Sequence, residues 1–326
     1  MIWLRFFKNN RAGGVFGVVI LAVALFLISF LSPEQPEDFS AMPFYRLVFG
    51  KIHTLPVLNR IITLIIMLGI CLMLVRISFR YMLLEHRSYM PAYFFLLFSA
   101  ALPSSHQVSP ALIGSLFYIL CFSMIFGVRD KKPDTFHIFN ASLVLVLGSM
   151  FYLKLVWFIP LIWISLATLR PVSLREMFYP VIAYLILGLF LFTWYWVVLE
   201  DLERLAGLLR DNLAFQNSFH PYHYSVYLYY GFFLLLVAIA SVYMANRFLT
   251  RKTAIQNIYQ VMFYMFIAGI LFFVMIAGWS YTALVYIAFP VSFLMADYFH
   301  RKRNPWTHEL ALWILLGLLV YAQIMV

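Results

Sequence analysis

Charge is scarce in this chain. Asp, Glu, Lys and Arg together make up 11% of its 326 residues, where soluble domains carry about 25%. That shortage excludes a water-soluble fold of this length, because too little polar surface exists to cover the 64% of residues that are hydrophobic. Acids are scarcer still, 13 in all, and almost none falls within an apolar run. Asp297 lies at the end of one such run beside His300 and Arg301, where pairing or snorkelling explains it. Proton-coupled transport ordinarily needs a carboxylate inside the spans, so this lack counts against it. Cysteine is limited to Cys71 and Cys121, both in apolar runs, which reads as two small buried hydrophobes and not as a disulfide or a metal pair. No low-complexity tract and no internal repeat is evident, and the second absence counts against an inverted-repeat transporter.

What is present is a series of apolar runs along the whole chain. A membrane-crossing helix needs about 20 mainly apolar residues, with a range of roughly 17–25. Eleven runs meet or approach that: 14–31, 59–75, 90–102, 109–127, 137–152, 155–169, 178–199, 225–246, 257–277, 280–296 and 309–325. The stretch from Phe136 to Leu169 is too long for one helix, and Lys154 followed by Pro160 predicts a tight hairpin turning at the lysine. The first run follows Arg5, Lys8 and Arg11 but is succeeded by Ser32-Pro33-Glu34 with no small-residue cleavage site, so it reads as a retained helix and not a signal peptide. The expectation is an all-α polytopic bundle, one integral membrane domain over 1–326, with no soluble module.

Basic residues orient it. With the N-terminus inside and the C-terminus outside, seventeen of the 23 basic residues fall on inside segments and six on outside ones, the bias expected of cytoplasmic loops. This distribution also accounts for the net charge of +10, so nucleic-acid binding is excluded as its cause. Aromatics, at 19%, gather near the run ends as amphipathic rings do at an interface. A bacterial-type inner membrane is the expected location.

Two outside loops are long enough to hold chemistry. The first, 32–58, opens with Glu34, Glu37 and Asp38 and continues into a stretch able to form a short interfacial helix. A carboxylate there can serve as a general base or hold a divalent metal; a solvated loop is the simpler reading. Arg46, Lys51 and Arg60 follow, and with Lys154 they are candidates to hold a lipid phosphate, the arginines offering bidentate geometry. Lys154, flanked by Tyr152 and Trp157, can equally snorkel to the headgroups. The second loop, 200–224, begins as an amphipathic helix with Leu199, Leu202, Leu205, Leu208 and Leu209 on one face, suited to the membrane surface. It ends in His220-Pro221-Tyr222-His223, a weak metal-ligand spacing set among interfacial aromatics. No resident cofactor is required. The inside loops are short and leave little room for chemistry.

Two resemblances bear on function. Phe139-Asn140-Ala141-Ser142, Gly148-Ser149-Met150-Phe151-Tyr152, Pro160 and Arg170-Pro171-x-x-x-Arg175-Glu176 resemble an uncharacterised family of Bacteroidota membrane proteins of about this length. Its members often carry a name borrowed from carotenoid-cleaving monooxygenases, which are soluble propellers with a four-histidine iron site and match neither the helices nor the hydropathy of this chain. The acid-bearing first outside loop, the turn Pro103–Pro110 and the Gly148…Lys154…Pro160 hairpin are similar to the multi-spanning (GT-C type) glycosyltransferases that use polyprenyl-phosphate sugars. That resemblance implies Asp38 or Glu37 as the base activating an acceptor hydroxyl, with Lys154 and Arg46 or Lys51 on the donor phosphate; the usual paired-acid context and a sizeable outer domain are both missing. Three readings therefore stand: a lipid-phosphate-dependent glycosyltransferase at the outer face, a non-catalytic scaffold with envelope protein partners, and a transporter or flippase.

Overall fold

A computed structural model describes residues 11–29, 42–50, 52, 55–128, 135–214, 223–300 and 305–325. Among them the chain is all α, in thirteen helices: α1 (Arg11–Ser29), α2 (Pro43–Phe49), α3 (Pro56–Arg80), α4 (Met90–Ser99), α5 (Pro110–Gly127), α6 (Thr135–Phe151), α7 (Ile159–Leu169), α8 (Leu174–Thr193), α9 (Leu202–Leu213), α10 (Tyr224–Arg247), α11 (Thr253–Leu271), α12 (Leu284–His300) and α13 (Pro305–Met325). Single π-helical turns extend α8 to Val198 and α11 to Ile276. Among the described residues, seven helices are long and apolar enough to cross a membrane: those beginning at Pro56, Pro110, Leu174, Tyr224, Thr253, Tyr281 and Trp306. Four shorter apolar helices, Gly13–Leu27, Met90–Ser99, Phe136–Phe151 and Leu153–Leu169, occupy the other apolar runs.

Proline and short polar side chains set the boundaries. α2, α3, α4, α5 and α7 each open with proline in the first turn, where its missing N–H costs nothing and its fixed φ suits the helix. Ser109 caps α5 by accepting from the Leu112 amide at 3.2 Å. Ser173 and Glu176 form a capping box on α8, and Arg170 clamps the same carboxylate at 2.7 Å. Asp201 caps α9.

Side-chain contacts sort the helix ends into two sets. At one end Phe26 meets His106, Tyr45 and Asn59 meet Val108, and Tyr152 meets Phe272 and Tyr286. At the other, Gly14 abuts Tyr89, Tyr81 meets Ser123, Tyr259 meets Leu83, and Phe299 meets His308. Consecutive helices, α2 and α9 apart, run alternately between these ends; α2 and α9 both lie at the first. The two ends are labelled outer and inner after the sidedness expected from charge.

α12 is the axis of the bundle. Every one of its residues except Tyr298 is buried, between α4, α5, α10 and α11. Rings fill the space near its start: Tyr286 packs against Phe158 at 5.3 Å and Phe272 at 5.2 Å, and Tyr118 against Phe158 at 4.7 Å. α5 and α6 approach closely because Gly148 carries no side chain; a Cβ there would stand 2.7 Å from Phe117 Cβ. α8 is the opposite case, with only 22% of its apolar window buried, which is the surface lipid would cover.

The sequence predicts a helix over 90–102, yet α4 stops at Ser99 after ten residues. A helix ending inside an apolar bundle leaves its last carbonyls without partners, at a cost that water cannot relieve there. Here each is met. Ser99 Oγ donates to Phe95 O at 2.7 Å, and the Ala100 amide to Leu96 O at 2.9 Å. The hydroxyls of Tyr229 and Tyr230, from α10, donate to Leu97 O and Phe98 O. His106 Nε2 donates to Ala100 O at 3.0 Å. Removing one donor should therefore strand a buried carbonyl. Tyr229→Phe is expected to cost about 1–3 kcal/mol of stability in detergent unfolding, whereas Tyr224→Phe, at a side chain 72% exposed, should cost nothing measurable.

Candidate functional site

Polar groups that survive burial in an apolar bundle are the natural place to look for chemistry. At the outer end they begin on α2. Tyr45, 2% exposed, donates its hydroxyl to Val108 O at 2.6 Å. Asn59, in the first turn of α3, accepts from the Val108 amide at 3.0 Å. The next residue, Arg60, is 8% exposed, so its guanidinium is carried into the bundle instead of out to solvent. His106, in the turn between α4 and α5, is wholly buried and stacks on Phe26 at 4.1 Å. Because its Nε2 faces a carbonyl, that nitrogen holds the proton and Nδ1 is a lone-pair acceptor, with no partner among the described residues. Burial pushes the ring's pKa down to about 4, and the Arg60 charge works in the same direction against the Ala100 hydrogen bond. His106 is thus neutral at physiological pH.

Lys154 occupies a second part of the same end. The sequence places it at a hairpin tip, free to reach headgroups; the structure instead puts it in a 3₁₀ turn, Leu153–Phe158, at 5% exposure. Burial lowers its ammonium pKa to about 8. The expected amphipathic helix explains the burial. α9 lays Leu205, Leu208, Leu209 and Leu213 onto Met150, Leu153, Leu191 and Tyr195, roofing the ends of α6 and α8 and the turn between α6 and α7. Between the elements bearing Arg60 and Lys154 sits α2, whose Phe44 packs on Phe151 and whose Tyr45 holds the turn before α5.

The other sequence candidates divide. Arg46 is exposed on α2. Asp38, Glu37, Lys51 and His220 lie outside the described residues. His223 uses Nδ1 to cap α10, accepting from the Ser225 amide and meeting Ser225 Oγ at 2.9 Å, which is an ordinary structural role. Among the described residues, no group of three or more His, Cys, Asp and Glu could hold a metal ion.

The inner end holds what sequence reasoning missed. A cavity of about 670 Å³ opens between the turn after α3 and the turn joining α10 to α11. Arg80, Glu85, Arg247, Arg251 and Lys252 supply its charges, and Tyr81, Met82, Leu83, Leu84 and Ile255 much of the rest. One cation is already used: Arg251 pairs with Asp297 at 2.5 Å, both under a tenth exposed, and lies 4.7 Å over the Tyr259 ring. Asp297 thus finds a partner on the neighbouring turn. The basic residues were visible from the start, but as orienting charges distributed over separate loops; only folding brings them around one cavity.

A family model described as a family of unknown function, DUF6427, matches residues 40–326. The chain belongs to that family. The match spans α2 through α13 and so includes both ends of the bundle. No curated protein and no solved structure matches the chain.

The Arg251–Asp297 pair gives a test of how the inner turn is held to α12. Asp297→Asn leaves a buried guanidinium uncompensated, and a loss of about 3–5 kcal/mol is expected. Arg251→Met combined with Asp297→Leu should recover most of it. Simple addition of the two single losses in thermal unfolding would show that the groups act independently.

Proposed function

We propose that this chain is an eleven-span protein of a bacterial inner membrane, N-terminus inside and C-terminus outside, that handles a phosphate-bearing lipid at its outer end. The observation that carries the reading is the burial of two cations, Arg60 and Lys154, at one end of an otherwise apolar bundle. Charge inside a membrane protein is costly and is retained mainly where it serves a substrate or ion. The alternation of helix ends puts Arg60 and Lys154 at the same end of the bundle, and the charge bias of the loops supports reading that end as the outer one. The polar turn 100–109 and the roof formed by α9 give that end a built, partly apolar environment suited to a lipid with an anionic head.

The ligand class that fits is a polyprenyl-phosphate sugar, and the reaction is glycosyl transfer. An acceptor hydroxyl attacks the anomeric carbon, Asp38 or Glu37 takes its proton, and the bond from carbon to the phosphate oxygen breaks. The departing lipid phosphate keeps the electron pair, its charge met by Lys154 and Arg60, with Arg46 exposed nearby in sequence and Lys51 a further candidate on residue type alone. A scaffold reading is supported by α8, whose exposed face includes Leu189, Trp194, Trp196 and Val197 and could seat an envelope partner. The burial of α12 on all sides speaks against a water-lined path along the axis.

Comparing Lys154→Ala and Asp38→Ala for the envelope glycan profile separates these readings. Loss of the same glycan in both is expected of the enzyme; an unchanged profile in both leaves the scaffold. Lys154 also predicts a pH signature. Its folded pKa, about 8, lies below the ordinary 10.5, so the unfolded chain binds the proton more tightly and the burial penalty is present below pH 8. Lys154→Met should therefore melt higher than the wild type at pH 7 in lipid-free detergent, with the gap closing as pH rises from about 8 towards 10.5. Sidedness is tested with Arg46→Cys and Lys252→Cys, since Cys71 and Cys121 are buried. An impermeant thiol reagent applied from outside should modify position 46 and spare position 252; the reverse pattern removes the outer-face reading.

A further inference from the structure

The inner cavity has no part in the outer-face reading, and its architecture points to a ligand of its own. Its two walls are rigid. The turn after α3 is pinned by Tyr81, whose hydroxyl donates to Ser123 O at 2.9 Å, and by Tyr259, which donates to Leu83 O at 3.3 Å. Between those anchors Met82 is held at φ 47°, a left-handed conformation that non-glycine residues seldom adopt. The opposite wall is fixed by Gln256, whose Nε2 donates to both Phe248 O and Arg251 O at 2.9 and 2.8 Å. Arg251, locked to Asp297 and Tyr259, joins that wall to α12 and α11.

Three further cations stand around the space so formed. Arg80 ends α3, Arg247 ends α10, and Lys252 precedes α11. Among the described residues these three make no ion pair. Arg80 lies 5.6 Å over Tyr81 and Arg247 5.4 Å over Tyr243, contacts that orient a guanidinium without neutralising it. Each arginine also complements the dipole at its own helix C-terminus. That role needs no particular neighbour, so it does not account for their convergence on one cavity with Lys252. Against three cations the lining offers, among the described residues, one carboxylate, Glu85. The balance is positive, in a cleft of about 670 Å³ at the level where three long apolar helices end.

We propose that this cleft binds the phosphate headgroup of an anionic lipid. A phosphate diester or monoester presents several acceptor oxygens, and two guanidinium forks with one ammonium can meet them simultaneously. The position at the helix ends puts the cations at headgroup depth, where basic pockets between membrane helices meet anionic lipids. Apolar Met82, Leu83, Leu84, Ala254 and Ile255 supply the wall against which the glycerol and upper acyl carbons rest.

The full-length protein in zwitterionic detergent, given phosphatidylglycerol, cardiolipin or phosphatidylcholine, tests this by native mass spectrometry and by thermal shift. The anionic lipids should be retained and raise the melting temperature by several degrees, and phosphatidylcholine should do neither. Arg80→Gln/Arg247→Gln/Lys252→Gln should weaken anionic-lipid retention at least tenfold, while Arg204→Gln/Arg210→Gln on α9 should leave it unchanged. Should the triple variant fold poorly, Lys252→Gln alone must still weaken retention, and wild-type retention must fall with rising salt. Equal retention by the variants and the wild type overturns the proposal. So does displacement of the lipid by submillimolar pyrophosphate, which would mark a site for a soluble phosphate compound.

Discussion

The structure rests on the satisfaction of backbone carbonyls where no water can reach them. α4 is the clearest case, because ten residues are too few to carry its end clear of the apolar interior. Its terminal carbonyls are met by one residue of its own helix, by the amide that follows, by two tyrosines from α10 and by a histidine from the returning turn. The same solution recurs with Tyr45 on Val108, Tyr81 on Ser123, Tyr259 on Leu83 and Tyr286 on Ala111. Each bond joins elements far apart in sequence, so the donors that relieve desolvation also fix which helices are neighbours. Tyrosine suits the task, since its ring packs among apolar side chains while its hydroxyl reaches a carbonyl.

That constraint decides the chemistry of His106. Donation to Ala100 O fixes a proton on Nε2, and burial, helped by the nearby Arg60 charge, opposes a second proton on Nδ1. The buried Arg60 therefore sits beside a polar but uncharged neighbour. Inner-end cations differ. Arg251 is neutralised by Asp297 and serves to hold the wall, while Arg80, Arg247 and Lys252 remain at the rim of the cavity. Under the two proposed readings, buried cations at one end and rim cations at the other place different demands on a ligand: at the outer end it enters the bundle, and at the inner end it settles against it.

Much of the fold was legible in the sequence because lipid-facing helices announce themselves by length and apolarity, and each expected run is occupied by a helix. α9 was legible too, since leucines at helical spacing against Glu203, Arg204 and Asp211 allow few alternatives. Less legible was where helices stop short. Nothing local in Phe95–Leu102 signals that the chain turns after Ser99; the signal lies in Tyr229 and Tyr230, 132 residues away from their acceptors. Lys154 was recognised as a candidate, but its burial depends on α9 folding back over the turn, which is a tertiary event. The inner cavity escaped notice because its cations come from separate turns, and each has a sufficient explanation as an orienting charge when taken alone.

The packing of α12 bears on how the two ends relate. A helix buried on nearly every face, with Phe289, Phe293 and Met295 fully enclosed and Tyr286 wedged among Tyr118, Phe158 and Phe272, admits no hydrated path along its length. Between the charges at the two ends, this helix is therefore enclosed by packed apolar side chains. What α12 does connect is mechanical. Its first turn is bonded to α5 through Tyr286, and its last is tied to the inner cavity wall through Asp297 and Arg251. A tightly packed helix anchored at both ends thus couples the position of the first turn of α5 to that of the inner cavity wall.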